Sequence, residues 1–148
     1  GHAGALTLPR PMMTSGRLDF SFSGLKTAVA TAVSKLESPC EQGRANIARA
    51  FVDAVVDVLA SKCLAALRIT GLTTLVVAGG VGANTQLRAR LQREVRAIGG
   101  EVFFPPLHLC TDNGAMIALA GLYRLQRGGA ATPSHAFDVR PRWALSEL

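Results

Sequence analysis

Residues 73–84 read TTLVVAGGVGAN, and this stretch decides the fold. Its first half is an apolar run rich in β-branched residues, which is typical of a buried strand. Its second half is a glycine-rich turn that ends at Asn84. Apolar residues then recur at helical spacing at Leu87, Leu91, Val95 and Ile98. The stretch therefore predicts a strand that leads through a tight turn into a helix.

The segments on either side extend this pattern. Residues 101–104 predict a second strand, which Pro105 and Pro106 end, and a last helix is predicted over about residues 112–127. Upstream, a wide apolar band over about residues 44–70 predicts a long helix that is contacted on several sides. The order strand, helix, strand, helix indicates a parallel sheet.

The first part of the chain predicts one more strand and one more helix. Residues 18–23 alternate between apolar and polar side chains, and residues 25–36 have helical spacing. We therefore predict an α/β fold with a short, mostly parallel sheet of about three strands and long helices. Residues 39–43 are predicted to form a loop, and residues 133–148 an irregular surface segment. So few strands beside such apolar helices indicate part of a larger fold.

The composition excludes several classes of protein. Of the 148 residues, 49% are hydrophobic and 18% are charged, which excludes a disordered chain. No apolar run reaches the roughly 20 residues that span a bilayer, so no contact with a membrane is expected. The three Cys lack a C-x-x-C spacing, which indicates a reducing, cytoplasmic environment. The net charge of +6 favours an acidic partner, above all nucleic acid.

The glycine-rich turn is the first candidate binding site. Gly79 and Gly80 have no Cβ, so a phosphate can approach the backbone N–H groups, with the positive end of the helix dipole behind them. Asn84 offers its amide to a ligand, and the alternative is that it only caps the helix. The turn matches neither G-x-G-x-x-G nor G-x-x-x-x-G-K-[ST], so both interpretations stay open.

A second polar turn follows the second predicted strand, where residues 110–116 read CTDNGAM. Thr111 or Asp112 can cap the last helix. Ligands of open α/β sheets bind beyond the carboxyl ends of the strands, so Asp112 can also face the same crevice as Asn84 and bind a cation there. A zinc site formed by His108, Cys110 and Asp112 is a weaker hypothesis.

Two groups of charged residues are given structural interpretations. Asp53 and Asp57 lie one helical turn apart and are interpreted as a polar stripe paired with Arg49 or with neighbouring chains, rather than as an acid/base pair. Four arginines in the helix after the glycine-rich turn are interpreted as its solvated surface, with contact to an RNA backbone as the alternative. They are Arg88, Arg90, Arg93 and Arg96.

Four segments together resemble one known family. In order, they are residues 18–27 (LDFSFSGLKT), 77–84 (VAGGVGAN), 110–116 (CTDNGAM) and 140–143 (RPRW). They resemble the bacterial tRNA threonylcarbamoyladenosine transferase (TsaD) family, and the resemblance covers the chain from about Arg10. It implies an actin/Hsp70/sugar-kinase-like (ASKHA) fold, in which two α/β lobes enclose a nucleotide cleft. It also implies transfer of a threonylcarbamoyl group from its adenylate to the N6 amine of a tRNA adenosine beside the anticodon.

The resemblance assigns roles to individual residues. By motif, Asn84 corresponds to the family's substrate-binding asparagine, Asp112 corresponds to its metal-ligating aspartate, and the turn at Gly79 and Gly80 lies beside the nucleotide. The implied cofactor is one divalent metal, iron or zinc, and the implied ligand is threonylcarbamoyl-adenylate or ATP. The family's H-x-x-x-H metal motif has no counterpart here.

The missing motif leads to an expectation about the whole chain. We expect residues 1–148 to be a single domain, the C-terminal portion of a TsaD-like protein without its N-terminal lobe. One carboxylate does not hold a metal tightly, so this portion alone is expected to be inactive.

The implied partners are tRNA and other proteins of the threonylcarbamoyladenosine pathway, the latter mainly through the missing lobe. Missing strands would leave an unpaired sheet edge and exposed apolar surface, so we also expect a homodimer or swapped oligomer. The alternative is a non-catalytic basic module that binds tRNA or a partner protein.

Overall fold

The computed structural model describes residues 1–36, 41–128 and Ala144. These residues form, in chain order, α1 (Ser23–Ser34), α2 (Glu41–Thr70), β1 (Thr74–Val76), α3 (Thr85–Ala97), β2 (Glu101–Phe103) and α4 (Gly114–Gln126). Short 3-10 turns precede α3 and α4, at Gly80–Ala83 and Leu107–Leu109. The chain divides into two compact units, Gly1–Thr111 and Asp112–Leu148, so that α4 belongs to the second.

The sheet confirms the predicted α/β class. β1 and β2 pair in parallel, with Leu75 opposite Val102, and α3 is the helix that connects them. A parallel pair needs such a crossover, since its second strand must begin at the same end as the first. The strand–turn–helix–strand order predicted around residues 73–84 is therefore correct.

The predicted third strand is wrong. Within the described residues, 18–22 form no strand, and Phe20 is 53% exposed. Alternating apolar residues indicate one buried face, but a strand also needs a neighbour that pairs with its backbone N–H and C=O groups. No described segment supplies this neighbour, and the rings of Phe20 and Phe22 contact each other instead, at 5.6 Å between centroids.

The helix boundaries differ modestly from the prediction. α2 begins at Glu41, so the predicted loop is wrong for residues 41–43. An acidic residue in the first turn is favourable beside the positive end of the helix dipole, which explains this earlier start. Residues 39–40 and the predicted irregular tail from residue 133, apart from Ala144, lie outside the described residues.

α2 packs on two sides, as its wide apolar band predicts. On one side it joins α3 in a core cluster. The buried members of this cluster are Val56, Ala60, Leu67, Leu87, Leu91 and Val95. On the other side, Ala50 and Ala54 pack with Leu25 of α1 and with Leu8 of the N-terminal segment. α2 therefore fixes the position of α3 and of the turn that precedes it.

The second unit is described through α4. Residues on all sides of this helix are exposed, and none of its residues is buried. Its large exposed apolar side chains are Met116, Ile117, Leu119, Leu122, Tyr123 and Leu125. Throughout the described part of the chain, no helix is both long and apolar enough to cross a membrane.

Candidate functional site

The glycine-rich turn begins where β1 ends. Gly79 has a φ of +89°. Residues with a Cβ rarely adopt this backbone conformation, which explains the glycine at that position. A Cβ on Gly79 would meet no atom within 4 Å, and one on Gly80 would meet only Thr111 Cγ2, at 3.9 Å. The space beside both glycines is therefore open, as a close approach of a ligand requires.

Asn84 has the capping role that its position allows. Its side-chain Oδ1 accepts a hydrogen bond from the backbone N–H of Leu87, at 2.9 Å, and so satisfies a free donor in the first turn of α3. Its Nδ2 donates no hydrogen bond within the described residues, and the residue is half-buried. Capping and ligand binding are thus compatible, since they use different atoms of one amide.

A cavity of about 610 Å³ lies against this turn. Gly80, Gly82 and Asn84 line it together with apolar side chains of α2 and α3, and with Phe20 and Phe22. Among the described residues that line it, Lys26 is the charged one. The cavity therefore combines apolar walls with an amide and a cation, the composition that organic ligand sites usually have.

Cys63 also lines the cavity, but it is not a candidate nucleophile. Burial raises the pKa of its thiol, so the reactive thiolate is disfavoured at neutral pH. The walls of the cavity are suited to binding rather than to covalent chemistry.

The interpretation of Arg88 as part of a solvated helix surface is wrong, because its guanidinium is bound to other parts of the chain. Its Nε donates to the Gly82 carbonyl at 2.6 Å, and its Nη2 donates to the Pro105 carbonyl at 2.7 Å and to Cys110 Sγ at 3.1 Å. Its guanidinium carbon lies 4.7 Å from the centre of the Phe104 ring. Arg88 therefore joins the glycine-rich turn to the segment that follows β2.

The structural role of Arg88 had a signal in the sequence. Arg88 follows Asn84 by four residues, so it shares a helix face with the cap, and helix side chains point back towards the N-terminus. The sequence does not reveal the acceptors on the far side, because Pro105 and Cys110 are distant along the chain.

Arg90 is half-buried, whereas Arg93 and Arg96 are exposed as predicted. Arg90 pairs with Asp57 and with Glu94, and Arg10 pairs with the other oxygen of Asp57 at 2.7 Å. An RNA-binding surface on α3 therefore has two fewer free arginines than the sequence indicates.

Both carboxylates form ion pairs, but the predicted partner Arg49 is correct only for Asp53, since Asp57 pairs with Arg10 and Arg90. Asp53 accepts from Arg49 at 2.9 Å, one helical turn away. Burial alone raises the pKa of Asp57, but hydrogen bonds from Arg90 and Arg10 and their positive charges outweigh burial, so its pKa is lowered overall. A carboxyl group held ionised in this way cannot act as a general acid near neutral pH.

The junction after β2 differs from the prediction in its capping residue. Asn113, not Thr111 or Asp112, caps α4, since its Oδ1 accepts from the Met116 N–H at 3.0 Å. The helix begins at Gly114, and only the residue directly before it has the extended backbone of a cap. This leaves the side chain of Asp112 without the capping role.

The residues do not form a complete metal site. Within residues 1–36, 41–128 and 144, no group of three or more His, Cys, Asp or Glu could hold a metal ion, so the zinc hypothesis for His108, Cys110 and Asp112 is not supported. Cys110 is buried and accepts a hydrogen bond from the positively charged Arg88, an environment that disfavours a cation. The metal that the resemblance implies would need ligands beyond these residues.

Within the first unit, Thr111 lies beside Gly80, since a Cβ on Gly80 would be 3.9 Å from Thr111 Cγ2. The parallel β–α–β unit defines an α/β protein, and its glycine-rich turn lies at the carboxyl end of a strand, where open α/β sheets bind their ligands. The chain belongs to the TsaD family, because the family described as tRNA N6-adenosine threonylcarbamoyltransferase matches residues 1–119. Proteins of this family are transferases with the ASKHA-type fold.

Curated relatives support this membership. The chain is 59% identical to the tRNA N6-adenosine threonylcarbamoyltransferase of Paraburkholderia xenovorans, in an alignment that covers 100% of this chain and 44% of that protein. It is 57% identical to the proteins of the same name from Burkholderia mallei and Herminiimonas arsenicoxydans, again over 100% of this chain and over 45% and 44% of those proteins. The chain therefore spans less than half the length of these relatives.

Proposed function

We propose that this chain is the part of a tRNA N6-adenosine threonylcarbamoyltransferase that binds the adenylate. The complete enzyme would transfer the threonylcarbamoyl group from its adenylate to the N6 amine of a tRNA adenosine beside the anticodon. The observation that carries this proposal is the glycine-rich turn, which opens onto a cavity of about 610 Å³ in a chain of the TsaD family.

Three features of the turn and of the cavity beside it suit a nucleotide. The first N–H groups of the 3-10 turn that begins at Gly80 have no partner within that turn and can donate to phosphate oxygens. The Nδ2 of Asn84 can donate to a ribose or phosphate oxygen while Oδ1 keeps the cap. Lys26 at the same cavity supplies a positive charge, and the apolar walls accept a base.

We propose Asp112 as one ligand of a divalent metal, iron or zinc, in the complete enzyme. The described residues supply no further group of ligands around it. A single carboxylate binds a divalent ion weakly, so the remaining ligands must come from elsewhere. This part of the proposal rests on the family motif.

The proposed partners follow from the proposed reaction. The tRNA is the acceptor substrate, and the basic net charge of +6 favours its approach. Other proteins of the threonylcarbamoyladenosine pathway would act with the complete enzyme. Such a reaction would take place in the cytoplasm.

Titration of ATP into the chain, followed by calorimetry, tests the adenylate site. Asn84→Ser keeps a capping oxygen but removes the amide donor, so α3 should remain stable while ATP binds about five- to tenfold more weakly, the loss expected for one hydrogen bond.

Gln86→Ala is the matched control, since it removes an amide from the same turn of α3 on a side that lines a different cleft. This variant should bind ATP like the parent chain. Failure of the parent chain to bind ATP, or equal affinities for the parent and Asn84→Ser, would contradict the proposed site.

A further inference from the structure

Arg88 connects two loops that the sequence keeps far apart. The Gly82 carbonyl belongs to the turn between β1 and α3, whereas Pro105 and Cys110 belong to the segment between β2 and α4. Both loops leave the sheet at the carboxyl ends of its two parallel strands. One guanidinium thus sets the distance between the two sides of the candidate crevice.

We propose that Arg88 is a positioning residue for the nucleotide-binding turn. Arg88 does not line the cavity beside the turn, so it acts through the Gly82 carbonyl rather than by touching the ligand. This inference rests on the proposed function for the identity of the ligand. The contacts of Arg88 themselves do not depend on that function.

The chemistry of the contact requires arginine. The acceptors are two backbone carbonyls and a sulfur atom, and a planar guanidinium presents several N–H donors in a fixed fork that can reach them together. Its flat face also packs against Phe104. The ammonium of a lysine is a compact group on a flexible stem, so it cannot keep the same three acceptors at fixed distances.

The backbone of α3 orients this side chain. The Arg88 N–H donates to the Asn84 carbonyl at 3.0 Å, so Arg88 is in the first full turn above the cap. Its side chain points back towards the turn, because helix side chains incline to the N-terminus. The hydrogen bonds by which Arg88 holds the two loops together, here called the clamp, therefore start from the same end of α3 as the side chain of Asn84.

Release of the clamp should loosen both loops and weaken binding. In Arg88→Ala, we expect amide hydrogen exchange to become faster in residues 79–84 and 107–111, while α1 keeps the rate of the parent chain. We expect the dissociation constant for ATP to rise at least tenfold. Arg88→Lys should recover only part of this loss, because it keeps the charge but not the fork.

Arg96→Ala is the matched control, since it removes an exposed arginine from the same helix. It should change neither the exchange in the two loops nor the affinity for ATP. If Arg88→Ala does not fold, the comparison of Arg88→Lys with Arg96→Ala provides both readouts.

Each outcome separates the clamp from the proposed function. Unchanged exchange in both loops of the Arg88 variant would overturn the clamp, whether or not the parent binds ATP. Faster exchange with an ATP affinity equal to that of Arg96→Ala would overturn the positioning role. A third outcome combines faster exchange in the two loops of Arg88→Ala with a parent chain that does not bind ATP. It would support the clamp, but it would overturn the role of the clamp in nucleotide binding and contradict the proposed function.

Discussion

At the scale of single residues, the cap at Asn84 uses only one atom of its amide. Oδ1 caps α3, and Nδ2 donates no hydrogen bond within the described residues, so the cap is compatible with the ligand contact that we propose. Asp57 shows the opposite case, since both of its oxygens are used by arginines. The chemistry available to a residue therefore depends on which of its atoms the fold already uses.

Asp57 should contribute to stability through its ion pairs with Arg10 and Arg90. Its side chain is 27% exposed, so Asp57→Asn should lower the free energy of unfolding at pH 7 by about 1–2 kcal/mol, between the values typical of exposed and buried pairs. The folded pKa of Asp57 lies below 3.8, the ordinary value of an aspartate side chain. Its stabilising contribution is therefore present above that value and is lost as the pH falls through the lower, folded pKa.

Urea denaturation of the parent and of Asp57→Asn at pH 7 and at lower pH measures this contribution. The difference between the two chains should shrink as the pH is lowered below 3.8. Asp19→Asn is the control, since the Asp19 side chain is 60% exposed in its pair with Arg17 and should contribute little. A difference that stays constant down to low pH would show that the ion pairs do not cause it.

At the scale of elements, the sheet is the part that the sequence predicted least well. Short apolar segments predicted both observed strands correctly. Both segments form strands because β1 and β2 pair with each other and each also packs on α2 or α3. The segment of residues 18–22 has an equally good strand pattern but lacks a described neighbour. Strand patterns describe the burial of side chains, and pairing of the backbone is a separate condition.

The open edges of β1 and β2 lead us to propose that the chain associates with itself. Each of the two strands has one edge without a partner strand in the described part of the chain, and Val76 and Phe103 are exposed on them. An open edge with apolar side chains is a template for pairing with another strand. We expect a homodimer or a swapped oligomer in light scattering at high protein concentration.

Two variants locate the contact. Val76→Lys should shift the chain towards a monomer, since lysine on an edge strand opposes pairing. Ile117→Lys changes the exposed surface of α4 instead and should leave the oligomer intact. A parent chain that remains a monomer at all concentrations would contradict the proposal.

At the scale of the whole molecule, the described residues contain candidate binding groups but no group of side chains that could hold a metal ion. The site at the glycine-rich turn lies entirely within the unit Gly1–Thr111. Asp112 belongs to the second unit, and the described residues offer no group of metal ligands. The prediction that residues 1–148 form a single domain stays a prediction.

If the reaction needs the metal that we propose, the chain alone should not catalyse the transfer, since the described residues supply no group of metal ligands. Incubation with threonylcarbamoyl-adenylate and tRNA should give no modified adenosine above the uncatalysed level, as measured by mass spectrometry of the digested tRNA. The complete P. xenovorans enzyme, 59% identical to this chain over their alignment, is the positive control. Turnover by the 148-residue chain at a comparable rate would contradict this prediction.

The sequence by itself determined the α/β class, the strand–turn–helix unit around residues 73–84 and the family, because these depend on local periodicity and on motifs that remain contiguous along the chain. It also predicted the glycine-rich turn and Asn84 as candidate binding groups. Only the tertiary structure decided that Arg88 joins two loops, that Asp57 is held by two arginines and that residues 18–22 form no strand. Each of these depends on groups far apart in the chain, and a sequence pattern records what a residue prefers but not which distant atoms lie beside it after folding.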